Sequence, residues 1–158
     1  MRFLPLVLLI LGLEIQAFAQ SSEQVFAQAT QLNIQESRAW KKLLHYEPGT
    51  FGSVYSQVDS TNFFLSKNGH ENLNDELKAT IEAFLSVDLK AEESTRPQCR
   101  FPARALFLKK SLPQVKWPVV SCESYEKYHG ALKGVSASLV FSSYYLNNPS
   151  SAFGHTFL

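Results

Sequence analysis

The sequence has little sulfur and almost no excess of charge: two cysteines, one methionine, and 15 Lys plus Arg against 14 Asp plus Glu, for a formal net charge of +1. Balanced charge provides no electrostatic footprint for a phosphate backbone, so nucleic acid is not an expected partner. There is no Cys-x-x-Cys pair and no matching His spacing, which argues against a metal site built on the cysteines. There is no Gly-rich phosphate loop, and no Gly-x-Ser-x-Gly elbow surrounds any serine. No cofactor is expected from the motifs present. Internal repeats and low-complexity tracts are also missing, and the 7 Gly and 7 Pro are scattered as punctuation between elements. With 158 residues, this reads as one domain.

What is present is apolar and aromatic. Hydrophobic residues make up 45% of the chain, and the 12 Phe, 6 Tyr and 2 Trp suit a buried core rather than a disordered tail. The run Phe3 to Leu13 follows Met1 and Arg2 and precedes the small-x-small site Ala17-Phe18-Ala19. At about eleven residues it is shorter than the roughly 17 to 25 needed to span a bilayer. Residues 1–19 are therefore read as a cleavable signal peptide, and residues 20–158 as the exported domain. In an oxidising compartment Cys99 and Cys122 are expected to form one disulfide. The sharper alternative makes one of them a catalytic thiolate, which would need a base or a helix N-terminus to lower its pKa.

Periodicity predicts helices first. Ser21 or Ser22 is placed to cap a helix with Val25, Ala29 and Leu32 on one face, and Ser37 a second carrying Trp40, Leu43 and Leu44. Glu47-Pro48-Gly49 is read as a helix stop, followed by strands over Ser53 to Val58 and Asn62 to Ser66. Asn74 is the expected cap of a helix bearing Leu77, Ile81, Phe84 and Leu85. Leu89 to Gln98 is polar and reads as a surface loop. Pro102 starts a helix with Phe101, Ala105, Leu108 and Leu112 on one side, ended by Pro113. Ser124 is then expected to cap a short helix to Leu132, before a β-rich run from Val135 to Leu146. The expected class is α+β, with a helical N-terminal region followed by a mixed helix and strand part. The pattern breaks off at Phe157-Leu158, directly after a strand begins, so the chain is read as a fragment.

Among chemistry-bearing residues, His155 stands out, since it follows Gly154 on a strand entered from a loop rich in Pro, Ser and Asn. An imidazole titrating near neutral pH suits a general base, and the glycine permits close approach of a substrate. A structural histidine at a strand end is the other reading. The remaining histidines have no carboxylate or Cys at ligand spacing. Ser142, Ser143, Ser150 and Ser151 are conceivable nucleophiles but default to turn and strand positions. Arg100 and Arg104, four residues apart, would share a helix face and could grip a phosphate or carboxylate, as substrate-binding residues; solvated helix charges are the plainer reading. No metal-binding residues are assigned.

The segments WKKLLHY at Trp40–Tyr46, FFLS at Phe63–Ser66 with Gly69, ELKATIEAF at Glu76–Phe84, CRFPAR at Cys99–Arg104 and NNPSSAFGHTFL at Asn147–Leu158 together resemble the Lnb N-terminal periplasmic domain family. The resemblance implies a membrane-associated lipoprotein N-acyltransferase of the periplasm. It would move an acyl chain from a phospholipid donor to the N-terminal amine of a lipidated Cys on a lipoprotein acceptor. It further implies a papain-like, thiol-hydrolase-like fold and His155 as general base, with the nucleophile lying beyond Leu158. A noncatalytic envelope interaction module and a secreted thiol hydrolase are the rival readings.

Overall fold

A computed structural model of the chain describes residues 20–132 and, beyond them, residues 134, 136, 138, 140–142 and 155–157. The residues read as a signal peptide, the loop at 147–151 and Leu158 lie outside the described residues, as does much of the run 135–146.

The first helix, α1 (Ser22–Gln31), begins where a side chain satisfies the orphan amides: Ser21 accepts from the Gln24 N–H while the Gln24 side chain accepts from the Ser21 N–H. Its face is narrower than expected, because Val25 and Ala29 are buried while Leu32, at the C-cap, is exposed. Ser37 caps α2 (Arg38–Leu43) through the Trp40 amide. There the chain turns through His45, whose φ of 55° is left-handed, into β1 (Tyr46–Pro48). The helix stop expected at residues 47–49 is thus a short strand instead. It pairs antiparallel with β2 (Val54–Ser56), Glu47 opposite Tyr55. Pro48 is tolerated because each strand of a two-stranded ladder is an edge.

The strand expected over Asn62 to Ser66 does not form. Thr61–Phe63 is a turn of 3-10 helix, and the amides of Leu65 and Ser66 are directed at the side chain of Glu76 instead of at a neighbouring strand. Helix α3 (Leu73–Leu85) follows, capped by Asn72 rather than Asn74, with the Asn72 Oδ1 accepting from the amides of Asn74 and Asp75. The expected surface loop after it contains a 3-10 turn at Glu93–Thr95. It is wired by Arg96, which donates to the carbonyls of Leu89, Ala91 and Ser121. Helix α4 (Pro97–Arg100), which contains Cys99, begins within the segment read as loop, and α5 (Pro102–Ser111) follows after Phe101, starting at Pro102 as read.

One apolar cluster holds these elements together. Val25 and Ala29 of α1, Trp40 of α2, Leu77, Ile81 and Phe84 of α3, and Ala105 and Leu108 of α5 are its centre, and α1 packs on α3. Each fully buried Leu or Ile contributes about 2 kcal/mol by removal of apolar surface from water.

The chain divides into two units, Met1–Ser121 and Cys122–Leu158. The second contains α6 (Glu123–Ala131), whose N-cap position is Cys122, two residues ahead of the expected Ser124 cap, and β3 (Val140–Ser142) paired antiparallel with β4 (His155–Phe157). Mixed helix with small two-stranded sheets makes the class α+β, as the sequence indicates.

Candidate functional site

Arg104 lies on the buried side of α5 beside Ala105 and Leu108, and Glu76 lies on the stripe of α3 that also carries Leu73, Leu77, Thr80, Ile81 and Phe84. Two charged side chains on two apolar stripes must meet or unfold the core, because an unpaired buried ion is costly. They meet: Arg104 Nη1 donates to Glu76 Oε1 at 2.7 Å, with Arg104 3% and Glu76 0% exposed. The other guanidinium nitrogen, Nη2, donates to the Phe63 carbonyl at 2.6 Å. The guanidinium also lies over the rings of Phe101 and Phe63, at 4.1 and 4.6 Å from their centroids. Glu76 accepts the amides of Leu65 at 3.0 Å and Ser66 at 2.8 Å. Burial pushes the Glu76 carboxyl above its ordinary range and the Arg104 guanidinium below its own, each opposed by the charge of the other.

This is a latch rather than a reacting pair. Its hydrogen bonds are spent on the segment 63–66, whose conformation it dictates. Gly69 completes it, since a Cβ there would sit 2.3 Å from Glu76 Oε2 and 2.8 Å from Phe64 Cβ. The phenol of Tyr46 donates to the Gly69 carbonyl. Burial, and next the nearby Glu76 charge, raise the Tyr46 pKa well above the ordinary tyrosine value of about 10. The folded chain then keeps a proton that the unfolded chain loses. The stability contributed is full below about pH 10 and is lost as pH rises from there towards the folded value, by up to about 1.4 kcal/mol per pH unit. Tyr46→Phe is accordingly expected to flatten the fall of the urea midpoint between pH 9 and 11; an unchanged slope would remove Tyr46 from alkaline unfolding.

Arg100 and Arg104 converge on consecutive carbonyls, Asn62 and Phe63, and on the Phe101 ring. They do not present one surface. Arg100 is exposed, whereas the donors of Arg104 face Glu76 and Phe63. Sequence reading missed Glu76 as a functional partner of this arginine. The available signal was a carboxylate sitting on the i, i+3, i+4 stripe of an otherwise apolar helix face.

His155 opens β4, and the strand register places it opposite Ser142 of β3. Neither cysteine is free: Cys99 and Cys122 are disulfide-bonded, so neither provides a thiolate while the bond stands. The other histidines sit against rings: His45 on Phe63, His70 on Phe64 and Tyr55, His129 on Tyr125. Among the described residues no three His, Cys, Asp or Glu side chains gather as a metal site, and no helix is long and apolar enough to cross a membrane.

Residues 32–111 match a family described as a domain of unknown function, DUF7843. Residues 124–158 match the Lnb N-terminal periplasmic domain, and this match includes FGHTFL at Phe153–Leu158 and so His155. The other segments that suggested the Lnb resemblance, Trp40 to Arg104, fall in the first match. No curated protein and no solved structure matches the chain.

Proposed function

This chain belongs to the family described as the domain of unknown function DUF7843, and we propose on that premise that it is the periplasmic part of an Lnb-like protein that transfers acyl chains to lipoproteins. The observation that carries the reading is the match of residues 124–158 to the Lnb N-terminal periplasmic domain, with His155 on β4 inside it. Residues 1–19 act as the export signal, and the full-length protein works at the membrane. A papain-like, thiol-hydrolase-like fold goes with that reading, as the Lnb resemblance implies.

His155 is the general base. It takes the proton of a hydroxyl or thiol nucleophile as that group attacks the ester carbonyl of a phospholipid. It then returns the proton to the leaving glycerol oxygen, releasing lysophospholipid and an acyl-enzyme. The amine of the lipidated N-terminal Cys attacks the acyl-enzyme, its proton passes through His155 to the nucleophile, and the lipoprotein leaves N-acylated. The disulfide-bonded cysteines are not that nucleophile.

His155→Ala in the full-length protein, expressed in a strain that depends on it for lipoprotein N-acylation, is expected to lower acylation by about 10²- to 10⁴-fold. Mass spectrometry of lipoprotein N-termini reads this directly. Unchanged N-acylation would end the proposal.

A noncatalytic docking module is the second reading, favoured by α6. None of its residues is buried, Tyr128 in its last turn is exposed, and so is Leu132 at its C-cap. Retained binding to envelope proteins with no acylation in either His155 form would support it.

A further inference from the structure

A depression of ≈ 540 Å³ opens in the first unit, lined by Asp59, Thr61, Phe64, Leu65, Ser66, Lys67 and His70. A second of ≈ 470 Å³ shares Lys67 and His70 with it. The volume suits a small ligand. Nothing in the acyl-transfer reading uses either.

The wall of this opening is held in place before any ligand arrives. Glu76 fixes the amides of Leu65 and Ser66 from below, Tyr46 holds the Gly69 carbonyl, and the Ser56 amide donates to the His70 carbonyl at 2.8 Å. A loop fixed in this way loses little entropy on binding. Its polar groups divide sharply into spent and unspent. The Asn68 amide is committed to Asp75, and the Ser66 hydroxyl accepts the Asn68 N–H. The Asp59 carboxylate, the Thr61 hydroxyl and the Lys67 ammonium make no hydrogen bond or ion pair with any described residue. Asp59 and Lys67 line one opening without pairing to each other. Beside them, Phe64 meets His70 edge to face at 5.9 Å and Tyr55 lies 6.5 Å from His70, so an aromatic flank accompanies both charges.

Unpaired charges of both signs at one pre-formed opening set the ligand chemistry. A simple anion would meet Asp59, a simple cation would meet Lys67, and an uncharged ligand would leave both without a partner. We infer that the depression binds a small zwitterion, its ammonium at Asp59 and the aromatic flank, its phosphate or carboxylate at Lys67 and Thr61. A free solute and a lipid headgroup can both carry this pair of charges.

The probe is glycerophosphoethanolamine, titrated into the full chain and followed by calorimetry and by backbone NMR of residues 59–70. Glycerol 3-phosphate and ethanolamine provide the single-charge controls. Glycerophosphoethanolamine is expected to bind at least about tenfold more tightly than either control, and Lys67→Ala or Asp59→Ala to weaken it by roughly tenfold or more. Both side chains are exposed at their positions, so the variants keep the fold, and a thermal melt verifies this. Phosphatidylethanolamine vesicles that compete with the probe identify a lipid source, and vesicles that do not compete identify a free solute; either supports the site. His155→Ala must bind as the unaltered chain does, which separates this site from the acyl-transfer reading. No response at residues 59–70, equal binding of glycerol 3-phosphate, or indifference to both substitutions would overturn it.

Discussion

Arg104→Met is expected to lower the stability of the folded chain by about 3–5 kcal/mol, because it leaves Glu76 charged and buried with only two amides for company. Against a typical total of roughly 5–15 kcal/mol, much of the population would unfold at moderate urea. Glu76→Gln should cost a similar amount by stranding the guanidinium. The double variant should cost less than the two singles together, with a coupling of up to about 3 kcal/mol, since the surviving charge is removed along with its partner. Arg104→Lys recovers only part of the loss. An ammonium cannot donate to Glu76 and Phe63 as a planar fork while also lying on the Phe101 ring. Urea unfolding followed through the fluorescence of fully buried Trp40 measures all four variants. Additive singles, or an Arg104→Met cost below about 1 kcal/mol, would mean that the latch does not hold the 63–66 segment.

Reduction of the disulfide is the second large effect. The bond between Cys99 and Cys122 closes a loop of roughly two dozen residues, and restricting that loop in the unfolded chain is worth about 3 kcal/mol. Cys99→Ala with Cys122→Ala should therefore lower the unfolding temperature by roughly 10 °C. The unaltered chain in excess reductant should fall to the same value, while reductant should leave the variant unmoved. The comparison isolates the bond from the packing of the cysteine side chains, of which Cys122 is buried and Cys99 only half-buried. A reduced chain as stable as the oxidised one would show that the unfolded state gains little freedom when the bond opens. An exported chain depends on such a cross-link only where the compartment keeps it oxidised.

Local signals located most of the helices. Ser21, Ser37 and Pro102 announced α1, α2 and α5, and the spacing of Leu77, Ile81 and Phe84 announced α3, because caps and i, i+4 stripes act within a few residues of chain. The pairing of the two cysteines was legible from their number and from the expected compartment. His155 was visible as a candidate through its motif, and the match of residues 124–158 gives that motif its family context.

Tertiary structure decided the rest, in both directions. Phe63-Phe64-Leu65-Ser66 has the composition of a strand, yet its amides found a carboxylate ten and eleven residues away and no strand to pair with. Glu47-Pro48-Gly49 reads as a helix stop, yet the proximity of Val54-Tyr55-Ser56 made Tyr46-Glu47-Pro48 a strand. Arg100 and Arg104 look equivalent four residues apart, and only the position of Glu76 on another helix buries one and leaves the other in water. The sequence by itself therefore determined where the helical segments α1, α2, α3 and α5 lie, since propensity and capping are short-range. Which charges are spent inside, and which remain for a ligand at the opening by Asp59 and Lys67, followed from contacts between residues distant in sequence, where desolvation makes pairing obligatory.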